Sequence, residues 1–327
     1  MQNENLMKKI LMKALNMKEM GVILPTLLFI IVITWINPVF LSWSNIVNVL
    51  RATGFTLITA LGMTLVLISG GLDLSVGSVL AVGSIASGLA LTAGVPIPLA
   101  ILTGIGSGAL LGLINGLVVV RFKIPPLIMT LGMLYMARGI VLVITHGSPI
   151  HPLPAGFQAI EQNVMFGFPN VVYISFILAI IFSFVLKNTS FGRNVYAIGG
   201  NKEAARLSGI NINKTYITIY AITGALAAFT GVIQASRLGS SQPNAGTGYE
   251  LTVIAAVIIG GTSTYGGVGT ILGTIIGALF MNILTNSMML MRVPAFWQNL
   301  VIGFILVVAV ILDQLNRDRK LKAAVSS

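Results

Sequence analysis

Long uncharged stretches of apolar residues dominate this chain and set what it can fold into. Because about 20 apolar residues cross the hydrocarbon core of a bilayer as an α-helix, each such stretch predicts a span. Five stretches hold one span each: 21–41, 52–72, 162–186, 215–236 and 293–312. The others are 74–120, broken in two at Val95-Pro96-Ile97-Pro98; 251–291, broken in two by the Gly-rich segment 260–269; and 126–145. The sequence predicts an all-α polytopic membrane protein with about 10 transmembrane helices.

Composition excludes an ordinary soluble domain. The chain is 56% hydrophobic and only 8% charged, whereas soluble domains are about 25% charged. Its net charge of +11 would favour nucleic acid if the cations shared one soluble face, but they lie in short segments between apolar stretches. The chain has no Cys, which excludes disulfides, thiolate catalysis and Cys-ligated metals.

The positions of the cations predict the orientation, because cytoplasmic loops of membrane proteins are rich in Lys and Arg. With the N-terminus inside, most of the 19 cations fall in inside segments: 1–20, Arg121 with Lys123, 187–214 and 314–327. The long outside loop, 146–170, has none. We therefore predict a cytoplasmic segment 1–20, a transmembrane domain 21–313 and a cytoplasmic tail 314–327. No cleavage site follows the first span, which favours a retained helix over a signal peptide.

Two parts of the chain repeat the same features in the same order. The stretch Gly71-Leu72-Asp73-Leu74-Ser75-Val76 is matched by Gly248-Tyr249-Glu250-Leu251-Thr252-Val253. Glycines at every fourth residue follow in both parts: 104, 108, 112 and 116, then 269, 273 and 277. These ladders predict closely packed helices. The halves, about 50–145 and 215–313, are offset by five predicted spans, an odd number, which predicts an inverted repeat.

Two acids, Asp73 and Glu250, occupy equivalent positions in this repeat. A carboxylate at membrane depth is costly and tends to mark a pathway, a pair or a coupling site. An acid followed by Leu and then Ser or Thr is also suited to cap the next helix. Both interpretations stay open: a capping or gate structure, or direct contact with a transported solute.

Three amide side chains are candidates for hydrogen bonding to a polar solute. Asn115 and Asn282 lie in the glycine-ladder helices, and Gln234 lies near the end of its span. The alternative for each is an interhelical hydrogen bond.

Arg138 lies within a predicted span and must face protein, water or the interface. Snorkelling or pairing with backbone carbonyls is favoured over contact with a solute. His146 and His151 lie in the outside loop near Pro149 and Pro152, a poor arrangement for a metal site, and we predict none.

Residues 199–211 are polar and predict a short cytoplasmic helix from Lys202 to Leu207 that ends at Gly209. The residues Glu203, Ala204, Ala205, Arg206 and Gly209 resemble the E-A-A-x-x-x-G loop of ABC importer permeases, which docks into a cleft of the ATPase subunit.

The resemblance covers about residues 20 to 313. Its motifs are Gly-Gly-Leu-Asp-Leu-Ser-Val-Gly at 70–77, Gln-Pro-Asn-Ala-Gly-Thr-Gly-Tyr-Glu-Leu at 242–251 and Ile-Gly-Gly-Thr-Ser at 259–263. They are similar to the ribose-type sugar permease family. That resemblance implies a homodimeric permease for ribose or a related monosaccharide in the bacterial inner membrane. It also implies an extracytoplasmic sugar-binding protein and a separate ATPase that binds ATP and Mg, with residues 203–209 as the coupling helix.

The chain has no G-x-x-x-x-G-K-[ST] motif for ATP, so we predict that it is not an enzyme and binds no cofactor. A secondary transporter is one alternative, since such proteins also use inverted repeats. Against it, the sequence lacks a series of intramembrane acids and has the polar loop. A passive facilitator for a small polar solute is another, and it predicts transport that survives disruption of 203–209.

Overall fold

The computed structural model describes the backbone of residues 20–325 and the side chains of residues 23–315, so the predicted segment 1–20 lies almost wholly outside the described residues. Within that range the first helices are α1 (Met20–Ile36), α2 (Trp43–Ile68), α3 (Val76–Thr92), α4 (Ile97–Phe122), α5 (Pro126–Thr145) and α6 (Ala155–Gln162). A two-strand antiparallel hairpin follows, β1 (Val164–Met165) and β2 (Phe168–Pro169). The remaining helices are α7 (Asn170–Asn188), α8 (Ser190–Gly200), α9 (Lys202–Leu207), α10 (Ile212–Leu238), α11 (Tyr249–Ile259), α12 (Ile271–Leu290) and α13 (Ala295–Val325).

Among the residues that the structure describes, seven helices are long and apolar enough to cross a membrane: α2, α4, α5, α7, α10, α12 and residues 295–315 of α13. Three shorter apolar helices, Ile23–Ile36, Val76–Thr92 and Tyr249–Ile259, occupy the other predicted spans. The all-α membrane fold is confirmed, whereas the count of ten complete spans stays a prediction. The predicted breaks near Pro96 and at 260–269 both occur.

Several predicted spans have wrong boundaries, and the helix predicted at 21–41 ends at Ile36. The span predicted at 52–72 ends at Ile68, because Gly70 adopts φ +79° and leaves the helix. The span predicted to begin at 162 begins at Asn170, since the hairpin with Gly167 at φ +86° precedes it. At the other end of the chain, α13 continues as helix to Val325, through most of the predicted tail.

Caps at the helix ends explain several boundaries. The Thr270 hydroxyl accepts a hydrogen bond from the N–H of Gly273 at 2.9 Å and begins α12. Gly239 ends α10 in the left-handed conformation, at φ +63°. Polar residues thus set the ends of helices whose interiors are almost entirely apolar.

Helices α2 and α10 form the centre of the molecule. In their most apolar stretches, 89% of the α2 residues and 67% of the α10 residues are buried, against none in α13. The surrounding helices α1, α5, α7 and α13 expose large apolar side chains, such as Trp35, Phe176 and Phe304. A ring of apolar surface around a buried pair of helices is the arrangement expected in lipid.

The predicted close packing of the first glycine ladder occurs between α4 and α10. A Cβ added at Gly108 would clash with the carbonyl oxygen of Gly224, and a Cβ added at Gly224 would clash with that of Gly108. Gly112 meets the backbone of Tyr220 in the same way. The two backbones therefore touch along this seam, which gives dispersion contacts that lipid tails cannot replace.

Candidate functional site

The first broken segment is the non-helical stretch 69–75, which connects α2 with α3 and contains Asp73. Asp73 is 1% exposed, and its carboxylate accepts hydrogen bonds from the N–H of Ser75 at 2.8 Å and from the Ser75 hydroxyl at 2.6 Å. Asn115 of α4 donates its amide N–H to the same hydroxyl at 3.0 Å. These bonds fix the turn that precedes α3, and both interpretations of Asp73, a capping or gate structure and contact with a solute, stay predictions.

Side chains of two neighbouring helices satisfy the backbone of this segment. On α10, the Tyr216 hydroxyl donates to the carbonyl oxygen of Ser69 at 2.8 Å and the Tyr220 hydroxyl to that of Leu72 at 3.2 Å. On α5, the Thr130 hydroxyl accepts from the N–H of Leu74 at 3.1 Å. Sequence reasoning missed all three residues, although two Tyr four residues apart within an apolar helix are a usable signal.

The second broken segment, 240–248, connects α10 with α11 and runs along α3. The Ser241 hydroxyl donates to the carbonyl oxygen of Ser84 at 2.7 Å. Five residues later, Gly246 packs backbone to backbone against Gly77. Gly77 lies seven residues from Ser84, or about 10 Å along α3. Five fully extended residues would span about 17 Å, so this segment is folded into turns, in which the N–H of Ala245 donates to the carbonyl oxygen of Gln242 at 3.1 Å.

Arg138 of α5 holds the second segment in place. Its guanidinium donates to the carbonyl oxygens of Pro243 at 2.7 Å and Ala245 at 2.8 Å. A third bond reaches the carbonyl oxygen of Gly77 at 3.4 Å. The interpretation of Arg138 as a partner of backbone carbonyls is confirmed. The arginine thus ties α5, α3 and the segment together.

Glu250 differs from Asp73 in its surroundings. It lies in the first turn of α11 and is only half-buried. Its carboxylate lies against the backbone N–H of Gly248 and interacts electrostatically with Arg138. A Cβ added at Gly77 would also meet this carboxylate. Both acids therefore lie near the start of α3: Asp73 bonds Ser75 just before it, and Glu250 lies against Gly77 in its first turn.

The other two amide candidates lie apart from the acids. Asn282 of α12 donates to the Thr56 hydroxyl at 3.0 Å and to the carbonyl oxygen of Ala278 at 2.8 Å. Gln234 is half-buried in α10. Asn115 and Asn282 thus make interhelical hydrogen bonds, and a role of these amides in a pathway stays a prediction.

A cavity of about 410 Å³ adjoins the first broken segment and the first turns of α11. It lies between α5, α11 and α13, and its lining is mostly apolar. Representative lining residues are Leu72, Leu74, Pro126, Leu251, Ile254 and Leu306. Leu74 follows Asp73 and Leu251 follows Glu250, so the leucine after each acid forms part of the cavity wall.

The predicted loop helix is present as α9. Asn201 caps it by accepting a hydrogen bond from the N–H of Ala204 at 3.0 Å, and Gly209 terminates it at φ +80°. Glu203 and Arg206 form an exposed ion pair at 2.8 Å, and Ala205 is 3% exposed. The helix also presents Leu207, which is 83% exposed.

The preceding helix, α8, contacts the end of α2 and the Gly-rich segment 260–269. Gly199 packs against the carbonyl oxygen of Ile68, where α2 ends, and against the backbone N–H of Gly267. That N–H donates to the same Ile68 carbonyl oxygen at 2.8 Å. The Tyr196 hydroxyl donates to the carbonyl oxygen of Gly269 at 2.7 Å. Movement of the α8–α9 unit would therefore act on the first broken segment and on the Gly-rich segment 260–269.

Towards the opposite end of α2, an ion pair between Arg51 and Glu161 joins α2 to α6. The Nε atom of Arg51 lies 3.1 Å from a carboxylate oxygen of Glu161, whose side chain is 0% exposed. Neither carboxylate oxygen accepts a hydrogen bond within the described residues. Burial raises the pKa of Glu161 and outweighs the opposing effects of Arg51 and Arg237. Sequence reasoning missed this pair.

Together these features define a polytopic helical membrane protein of the permease class. A comparison with protein families matches residues 45–310 to the family described as the branched-chain amino acid transport system / permease component. The chain belongs to this permease family.

Its similarity to individual proteins is more specific. The chain is 43% identical over 301 residues to the ribose import permease protein RbsC of Bacillus subtilis (strain 168), covering 91% of this chain and 93% of that protein. It is 38% identical over 307 residues to RbsC of Escherichia coli (strain K12), covering 90% and 93%. It is 35% identical to the xylose transport system permease protein XylH of the same strain, covering 94% of each. No solved structure matches the chain. The resemblance to ribose-type ABC permeases is confirmed.

Proposed function

We propose that this chain is the transmembrane subunit of an ATP-driven importer and forms the pathway for a monosaccharide, ribose or a related sugar. The relatives named for ribose and xylose import support the substrate class. The observation that carries the mechanism is the contact of Gly199 in α8 with Ile68 and Gly267. Through this contact, a partner bound at α9 would act on the first broken segment and on the Gly-rich segment 260–269.

In the proposed mechanism, two copies of the chain enclose the pathway in the bacterial inner membrane, with both termini cytoplasmic. The halves 50–145 and 215–313 form an inverted repeat, and their broken helices alternate access to the sugar. A separate ATPase grips α9 through Leu207 and the residues around it. ATP and Mg bound by that subunit draw the two copies of α9 together. An extracytoplasmic binding protein delivers the sugar to the outward-open state.

Coupled transport in proteoliposomes tests this proposal. The chain is reconstituted with a double ATPase and a sugar-binding protein, and ATP-dependent ribose uptake is measured. We expect Leu207→Asp to abolish uptake, because it places a charge on the docking surface. Asn188→Asp is the control, since Asn188 is exposed in the same predicted loop but outside α9.

Two results would contradict the proposal. Uptake that persists without ATPase and follows a proton or sodium gradient identifies a secondary transporter. Uptake that persists without ATPase or gradient, and is unaffected by Leu207→Asp, identifies a facilitator.

A further inference from the structure

The segment 240–248 is not helical, although the residues of α2 and α5 that it contacts lie near the middle of their helices. The Tyr249 hydroxyl donates to the carbonyl oxygen of Phe55 at 2.9 Å. Phe55 lies midway along α2, a helix of 26 residues. Arg138, which bonds the carbonyl oxygens of Pro243 and Ala245, lies near the middle of α5. Near the start of the segment, Ser241 pairs with Ile150 of the loop 146–170, and two separate helices place residues 243–249 away from both ends of the bundle.

The surface of this segment is polar and open. Asn244, Thr247 and Gly248 are exposed. The Asn244 amide has no hydrogen-bond partner among the residues that the structure describes. Irregular backbone and polar groups at membrane depth occur only where protein buries them or where they line a water-filled space. This face therefore does not lie against lipid.

The chemistry of the face suits a neutral ligand with many hydroxyl groups. An amide offers two donors and one acceptor, and a threonine hydroxyl offers acceptor lone pairs. The Thr247 hydroxyl donates to the carbonyl oxygen of Asn244 at 2.9 Å, so its oxygen is oriented to accept. The positive charge of Arg138 is committed to three carbonyl oxygens rather than presented to a ligand. The apolar cavity that begins at Leu251, within one turn of Gly248, suits the carbon face of a sugar ring.

We propose that Asn244 and Thr247 form hydrogen bonds with the sugar as it crosses the middle of the pathway. Arg138 is the positioning residue that holds the turns of the segment in place through the carbonyl oxygens of Pro243 and Ala245. This inference rests on the proposed function, because it assigns the sugar-contacting residues of the same pathway. It moves the site of recognition from the five earlier candidates to a segment that contains none of them.

Thiol labelling tests where this face lies. Because the chain has no Cys, Asn244→Cys or Thr247→Cys introduces its only thiol. The full complex in proteoliposomes is treated with a charged, membrane-impermeant thiol reagent, with and without ribose and its binding protein. We expect both thiols to react, and ribose to slow the reaction several-fold. Thr103→Cys is the control and should not react, since Thr103 is exposed on α4 beside the exposed apolar residues Leu99 and Leu102.

Transport tests the contact itself. Thr247→Val and Asn244→Leu keep the side-chain size and remove hydrogen bonding. Each should raise the half-saturating ribose concentration about 3- to 10-fold, the loss expected for a hydrogen bond between neutral groups. Discrimination between ribose and its deoxy analogue should fall with it. The complexes should still co-purify with the ATPase, and Thr103→Val should transport like the unmodified chain.

The outcomes separate this inference from the proposed function. Thiols that stay unreactive in a complex that imports ribose would overturn the inference and leave the function intact. The inference would also be overturned by thiols that do not react with the charged reagent but cross-link two copies of the chain, because the face would then lie between protomers. Failure of the unmodified chain to import ribose with its partners would overturn the proposed function, whatever the thiols do.

Discussion

The hydroxyl oxygen of Tyr196 lies 2.7 Å from the carbonyl oxygen of Gly269, and this hydrogen bond joins α8 to the Gly-rich segment before α12. Because Gly199 in the same helix contacts the end of α2, α8 is attached at two points. Loss of one attachment should weaken the transmission of movement without preventing assembly. The effect would then appear in the ratio of transport to ATP hydrolysis.

We therefore expect Tyr196→Phe to lower ribose uptake per ATP hydrolysed by up to about tenfold, since it removes one hydrogen bond of about 0.5–1.5 kcal/mol. Tyr173→Phe is the matched control, because the Tyr173 hydroxyl donates to the carbonyl oxygen of Met165 at 2.6 Å in the β1–β2 region. Uptake and ATP hydrolysis are measured together in proteoliposomes. An unchanged ratio in Tyr196→Phe, or an equal loss in the control, would show that this bond does not transmit movement.

The seam between α4 and α10 predicts a sharp difference between two neighbouring glycines. Gly108→Ala should lower the free energy of unfolding by about 1–3 kcal/mol, because the new methyl group overlaps the Gly224 carbonyl oxygen. Gly106→Ala should be neutral or slightly stabilising, since no atom lies within 4 Å of its added Cβ. The midpoint of thermal unfolding in detergent measures both. Equal midpoints would mean that the helices separate easily at this seam.

Because the pKa of Glu161 is raised, we expect the free energy of unfolding to depend on pH. Its pKa is raised above the ordinary value of 4.5, so between these two values the folded protein binds more protons than the unfolded chain. The stabilisation is fully present below 4.5 and is lost as the pH rises through the folded pKa. Glu161→Gln should therefore show a smaller decline of unfolding midpoint over that window. Glu203→Gln, at an exposed acid, should retain the decline of the unmodified chain.

Asp73 should behave as a structural residue. Asp73→Ala removes the acceptor for the Ser75 N–H and hydroxyl, and should lower the free energy of unfolding by about 0.5–2 kcal/mol. Asp73→Asn keeps one acceptor oxygen and should lower it less. The preference for ribose over xylose should stay unchanged in both variants. A change in that preference, measured by competitive uptake, would instead support direct contact with the sugar.

Much of the fold was predictable because its signals are local. The breaks near Pro96 and at 260–269 follow from backbone chemistry, and the helix from Lys202 to Leu207 has its cap, ion pair and terminator within ten residues. The end of α2 at Ile68 was missed, because the next residues, Ser69-Gly70-Gly71-Leu72, carry no charge and therefore appear to continue the transmembrane span. Hydropathy does not register the left-handed backbone of Gly70, which ends the helix.

The site was harder to predict because its contacts are distant in sequence. The Arg51–Glu161 pair and the bond from Arg138 to Pro243 each join residues about one hundred positions apart. No local pattern pairs Arg51 with Glu161, and Arg51 lies within α2 because this helix begins at Trp43, nine residues before the predicted start at 52. Likewise, Asp73 and Glu250 are equivalent in the repeat, yet only the packing of Gly77 and Arg138 makes one buried and the other half-exposed.

The self-contained construction of α9 has an evolutionary consequence. Its cap, ion pair and terminating glycine all come from residues 201–209, so its outer face can stay constant while the helices around the pathway diverge. A duplicated gene could then acquire selectivity for a different sugar and still engage the same ATPase. One energy-supplying subunit could in this way serve several permeases within a single cell.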